Sequence, residues 1–371
     1  MRAYLTYFGY FGWLVLLAYI ANRQHYLVTK QEHVNGRTVT RYNWIFALLA
    51  AAPLVYLAAK RGNIGDTYNY RQTFRNTVAS FSAIPGYVSG LRKDRAFYLV
   101  VAVLRTILGY RPVVYFGILA TFQILCFTRT VRKYTPYLIT AFFIFVASTD
   151  YISFMQNGVR QFMAVCIIFA CSDWIFERKY IRAVLAVLVA SQFHQSALLM
   201  LPVIFIVQGE PWNKSTVMVL FATVLVLFFV DRFTDILEGL LSETQYSNVI
   251  DDWTSSNDTG TNPIRVLVYS VPMVLSLLGL SYIREENDPV INVCVNMSII
   301  SAGLYLIAMG TSGIFVGRLP IYACLYSNCI LLPWEIEHIF SKQSGQVIKS
   351  AMIVMFILFY IYQVHFTWGL I

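Results

Sequence analysis

The chain has 371 residues, of which 58% are hydrophobic, 16% aromatic and only 13% charged, and its mean hydropathy is +0.60. Ordinary soluble domains carry about 25% charged residues, so this composition cannot supply a water-exposed surface, and it excludes both a soluble enzyme and a disordered chain. In such a chain the net charge of +9 reflects topology and lipid head groups rather than nucleic acid.

A helix needs about 20 apolar residues to cross a bilayer. Runs near 3–21, 43–59, 111–128, 136–152, 158–176, 215–231, 263–282, 290–309, 317–333 and 349–367 predict such helices. The first run lacks a strong basic segment before it and a small-residue cleavage site after it, so it reads as a span. The stretch 181–208 is too long for one simple helix and contains Pro202, and reads as two short helices or a re-entrant hairpin. The expected fold is all-α: a polytopic membrane protein of about 10–12 transmembrane helices, forming one transmembrane domain over 1–371. A β-barrel does not fit, because runs such as 217–230 and 351–362 are apolar on every side instead of alternating. The six cysteines lie in apolar runs, with neither a disulfide framework nor a zinc spacing.

Basic loops orient the chain. Connections 22–42 (Arg23, Lys30, Arg37, Arg41), 129–135 (Arg129, Arg132, Lys133) and 177–182 (Arg178, Lys179, Arg182) fall on one side, the cytoplasm, if the N-terminus is outside. The acidic loop 232–262 then lies outside. Two loops depart from the rule. Residues 283–289 are acidic yet placed inside, and residues 60–96 are strongly basic yet placed outside. A basic loop on the outer side needs another reason for its charge, and an anionic substrate is one. Residues 96–108 are too short to span and carry Arg105, so 60–110 reads as an outer loop with an interfacial helix.

Polar groups at the membrane border are costly and often functional. Four places stand out. In 61–75, Arg61, Arg71 and Arg75 surround Asp66, with Tyr68 and Tyr70 beside it. Guanidinium groups grip phosphate bidentately. In 150–164, Arg160 begins an apolar run just after Asn157 and Gly158, and Gln161 follows it about 100° round a helix. In 191–202, His194 interrupts a long apolar run, and an imidazole titrates near neutral pH. In 317–322, Arg318 opens an apolar span ahead of Pro320 and Tyr322. Each has a bland alternative: lipid head-group contact, a snorkelling arginine, a satisfied core histidine, an interfacial anchor. Together, one orientation places Arg61, Asp66, Arg160, His194 and Arg318 on the same outer face, as a cleft for a lipid-linked phosphate or pyrophosphate would require. P-loop, HExxH and GxSxG patterns are missing.

In chain order these residues read Arg61, Gly65-Asp66-Thr67 and Tyr70; then Asn157, Arg160-Gln161 and Ala164; then Phe193-His194, Ser196-Ala197; then Arg318, Tyr322 and Pro333. This pattern resembles the EpsG family of Wzy-type polysaccharide polymerases, over about residues 40–335. The resemblance implies a GT-C-like enzyme of the bacterial cytoplasmic membrane whose active site faces the periplasm or cell exterior. Such enzymes join undecaprenyl-pyrophosphate-linked oligosaccharide repeats into O-antigen, capsule or exopolysaccharide. It implies no cofactor or metal. The implied partners are the lipid-linked oligosaccharide, membrane lipid, a chain-length regulator and a flippase, with no nucleic acid.

In that chemistry Arg160, assisted by Arg61 and Arg318, would stabilise charge growing on the pyrophosphate. His194 is the first choice of base and Asp66 the second. Arg71, Tyr70, Asn157, Gln161 and Tyr322 would bind pyrophosphate or saccharide. A single attack inverts the anomeric centre, whereas a double displacement would need Asp66 or Asp150 as nucleophile. Two other classes compete. A transporter or flippase would line a path with charges at several depths and often carries internal repeats. An O-acyltransferase would turn its basic site to the cytoplasm, where the acyl donor is.

Overall fold

A computed structural model describes residues 2–34, 37–229 and 260–370, so the acidic loop expected at 232–262 lies outside the described residues except for its end. Apolar helices make up nearly all of it. They form two compact units, Met1–Leu198 with Phe340–Ile371, and Leu199–Ile339.

Among the described residues, three helices are long and apolar enough to cross a membrane: Pro112–Tyr134, Pro289–Gly310 and Lys342–Thr367. Two sharply bent pairs raise the number to five if each is one span, and further apolar helices are 10–17 residues long. The expected apolar runs are therefore helical, but many are broken or short. In the first unit the run at 136–152 breaks after Leu138–Ala147, where Thr149 takes a left-handed φ of 66°. A π-helical turn, Tyr151–Asn157, then leaves at 76°. The run at 181–208 divides as expected, into Tyr180–Ser191 and, after a break at His194, the short helices Gln195–Leu199 and Met200–Ile206.

Small residues let helices approach closely. Ala47, Ala50 and Ala51 of Trp44–Ala59 are buried in this way, and that helix packs on Pro112–Tyr134. Asn43 starts it, accepting a hydrogen bond from Phe46 N at 2.8 Å. Edge-to-face rings of Tyr7, Phe11, Tyr151 and Tyr360 join the N-terminal helix to Tyr151–Asn157 and Lys342–Tyr362.

The basic connection 22–42 is a β-hairpin, Thr29–Val34 paired antiparallel with Arg37–Tyr42. Glu32 of the hairpin accepts from Arg41 at 2.9 Å and from Arg132 at 2.5 Å, while Arg132 Nε donates to the Tyr42 carbonyl at 2.7 Å. Asp173 pairs with Arg129 at 2.8 Å and Lys133 at 2.7 Å, just before the connection 177–182. Glu32 thus joins the first two basic connections, and Asp173 joins the second to the helix Ser172–Phe176 that precedes the third.

The second unit is built round Pro289–Gly310, whose residues from Ile291 to Gly303 are all buried. Lys214–Phe228, Pro263–Leu278 and Ile321–Tyr326 pack on it. Buried Asn296 donates to the carbonyls of Val207 and Glu210 and accepts from Trp212 N, which satisfies a polar group that would otherwise be costly here.

The hydrogen bond from Arg132 does most to hold the Glu32 carboxyl below its ordinary value; burial works against it and Arg41 adds to it. A depressed carboxyl contributes stability above its unfolded value and loses it as pH falls through the folded one. Glu32→Gln is expected to lower the apparent Tm at neutral pH by a change worth about 0.5–1 kcal/mol, the scale of a solvent-screened pair. The gap from the wild type should close as pH drops below about 4.3, the ordinary glutamate value. Thermal unfolding across pH checks both.

Candidate functional site

The π-helical turn Tyr151–Asn157 is the local cause of the site. A widened turn shifts the backbone hydrogen-bond register and leaves carbonyls without helical partners. Arg61 fills that gap, donating from Nη1 to the carbonyls of Met155 and Gln156 at 3.2 and 2.9 Å, and from Nε to Ala58 O at 2.6 Å. Its guanidinium also lies 4.3 Å from the ring centre of Phe116. Burial draws Arg61 down to about 10, so it stays charged at neutral pH.

The turn ends in Asn157, and there the first two sequence elements meet. Asn157 Oδ1 accepts from Asp66 N at 2.7 Å. Gly65 makes this approach possible: it takes a φ of +49°, and a Cβ at this position would lie 2.1 Å from Asn157 Oδ1. Asp66 then opens the helix Thr67–Asn76. That helix is held by its buried face, with Phe74 stacked 4.2 Å from Tyr115 and Tyr70 set edge-to-face on Phe97. Arg71 braces the loop, donating to Arg61 O at 2.8 Å and Asn63 Oδ1 at 2.9 Å.

Three residues after Asn157, Arg160 lies in the first turn of Val159–Ala170. Its Nη1 pairs with Asp94 at 2.8 Å and donates to Tyr98 Oη at 3.2 Å. Asp94 is nearly enclosed, whereas the Arg160 side chain keeps 31% of its exposure. Burial pushes the Asp94 carboxyl up, by more than Arg160 and Lys93 draw it down. The open side of Arg160 faces a cavity of about 130 Å³ lined by Asp66, Asn69, Tyr70, Thr73, Phe97, Tyr98 and Arg160. One carboxylate, one guanidinium and two phenols thus converge on a small polar space, an arrangement able to hold an anion and move a proton.

The structure brings Asp66, Tyr70 and Arg160 together in that cavity, with Asn157 as the joint beneath it. Arg61 is 4% exposed and, like Arg71, does not line it. Both act on the backbone of the site. Gln161 is buried, and Asp150 is buried where the π turn begins. His194 sits in the break after Tyr180–Ser191, with Nδ1 2.6 Å from Ser196 Oγ, and does not line the cavity. Its neighbour Phe193 packs on the core formed by Tyr70, Phe97 and Val159. Arg318 and Tyr322 belong to the second unit, Arg318 ending the 3₁₀ turn Val316–Arg318 and Tyr322 buried in Ile321–Tyr326.

The EpsG family model matches residues 44–368. The chain belongs to the EpsG family. No curated protein and no solved structure matches it. The EpsG match spans all the residues of the cavity and its supports, including Asp94. In the sequence Asp94 is an acid within the basic loop 60–96 with no motif around it. The available signal was its place just before Arg95–Leu108, where its carbonyl accepts from Tyr98 N at 3.1 Å and so sets it one turn ahead of Tyr98.

Gly65→Ala is expected to lower the apparent Tm and to cut activity at least about tenfold, since it combines left-handed strain with a clash against Asn157. Adding Asn157→Ala should restore the Tm in part, by removing the atoms struck, but not the activity. Unfolding and turnover of the two single variants and the double variant form the cycle that checks this.

Proposed function

We propose that this EpsG-family protein is a polysaccharide polymerase of the bacterial cytoplasmic membrane. It joins undecaprenyl-pyrophosphate-linked oligosaccharide repeats at the outer face, within a GT-C-like helical architecture. The observation that carries the reading is the convergence of two separate family elements, around Gly65-Asp66 and around Asn157–Arg160, on one polar cavity holding a guanidinium and a carboxylate.

In this reading the hydroxyl of the acceptor repeat attacks the anomeric carbon of the donor. The new glycosidic bond forms as the bond to the pyrophosphate oxygen breaks, and the electron pair leaves with that oxygen. Arg160 stabilises the growing charge, and fixed cations in a partly dry site do this best. Asp94 and Tyr98 hold the guanidinium in place, so little reorganisation accompanies the reaction. Asp66, the carboxylate in the cavity, takes the proton of the acceptor hydroxyl. This favours Asp66 over His194 as base, and a single inverting displacement over a double one, because the cavity offers no second carboxylate to act as nucleophile. Arg61 and Arg71 are positioning residues.

The test is a product ladder. Purified protein in nanodiscs is given its native lipid-pyrophosphate repeat without nucleotide sugar or added metal. The wild type is expected to build a ladder, Arg160→Ala to lose about 10²–10³ in rate, and Asp66→Asn to lose it with retained substrate binding. His194→Ala abolishing turnover while Asp66→Asn does not would return the base role to His194. Transbilayer movement of the intact repeat, with no ladder, would instead establish a flippase.

A further inference from the structure

The helix Thr67–Asn76 has a second, polar face that extends beyond the Arg160 cavity. Its buried face carries Thr67, Tyr70 and Phe74. The opposite stripe, Asn69, Gln72, Thr73 and Asn76, recurs at i, i+3, i+4 and i+7, the spacing of a single helical face. This stripe, with Thr77 and Tyr87, lines an open cleft of about 430 Å³. Asn69 and Thr73 also line the Arg160 cavity, so the two spaces adjoin along one helix.

The chemistry of the cleft is uniform: three amides, two threonine hydroxyls and one phenol, with no charged side chain. The helix does carry charge, but Arg71 and Arg75 lie off this stripe. Helix stability does not explain the two asparagines. Asparagine is a weaker helix former than lysine, glutamate or glutamine, and a merely solvated face would be served better by charged residues. Asn69 makes a single long contact, 3.5 Å to Asp66. Among the described residues the amides of Gln72 and Asn76 make no hydrogen bond within the protein. Such planar groups offer a donor and an acceptor side by side, which matches the paired hydroxyls of a sugar ring. Tyr87 adds a ring on which the C–H face of a sugar can rest. A carboxylate-bearing sugar would find no cation here to offset its lost hydration.

From this we infer that the cleft along Asn69, Gln72, Thr73 and Asn76 is the subsite for an uncharged sugar of the oligosaccharide repeat, placed next to the reaction centre at Asp66 and Arg160. The inference rests on the polymerase reading and adds to it the location and charge class of the sugar.

The experiment uses the full chain in nanodiscs, observed by saturation-transfer NMR with two probes. One is the lipid-free oligosaccharide repeat obtained by depolymerising the host cell's own polysaccharide. The other is undecaprenyl pyrophosphate carrying no sugar. Gln72→Ala/Asn76→Ala is expected to bind the free oligosaccharide about tenfold more weakly, as loss of one or two hydrogen bonds implies, and the sugar-free lipid as the wild type does. Arg160→Ala should show the reverse. Oligosaccharide binding unchanged in the double variant, or none to a wild type that holds the sugar-free lipid, would overturn the cleft and leave the polymerase reading standing. Binding of neither probe to the wild type would overturn the polymerase reading and the cleft with it. A glucuronic acid oligosaccharide that competes as well as a neutral one would overturn the charge class.

Discussion

The site depends on a close approach between Gly65 and Asn157 that no side chain at position 65 would permit. Because Gly65 lacks a Cβ and takes a left-handed turn, Asn157 reaches the amide of Asp66. Asp66 in turn begins the helix carrying Tyr70 and the amide stripe, while Arg160 follows Asn157 by one helical turn. One contact therefore sets where both charged groups of the cavity stand. It is held from below by Arg61, which occupies the carbonyls that the π-helical turn leaves open. The irregular backbone at 148–158 has its function here: a regular helix would satisfy its own carbonyls and offer Arg61 nothing.

Electrostatics then decide what the cavity accepts. A lone guanidinium at a membrane border would bind any lipid phosphate nearby. Pairing with the enclosed Asp94 fixes the Arg160 guanidinium in direction while its other side stays open. Burying Asp94 has a cost, which Arg160 and, to a lesser degree, Lys93 offset in part. In the proposed reaction, a multiply charged pyrophosphate would compete for that open side better than a single phosphodiester.

Residues that look alike in sequence thus divide by environment. Arg61 and Arg160 are both arginines at the edge of apolar runs, yet Arg61 is sealed against backbone carbonyls and Phe116, while Arg160 keeps an open side. Arg71 and Arg75 sit on one short helix, and only Arg71 is engaged in bracing the loop before it.

Much of this was legible from residues alone. Helical class, the apolar runs and the broken stretch at 181–208 follow from hydropathy, which is local or additive along the chain. So did the pattern carried by Gly65-Asp66, Asn157, Arg160 and His194, and the family with it. Only tertiary structure decided that Asp94 is the partner of Arg160, that Arg61 faces inward, that 22–42 is a hairpin, and that Asp66 rather than His194 lines the cavity. The reason is physical. Hydropathy reports how much a residue gains by leaving water, but not which distant group it meets there. A π turn, a missing Cβ and a guanidinium 94 residues from the carbonyl it satisfies are properties of contacts, and those exist only once the chain has folded.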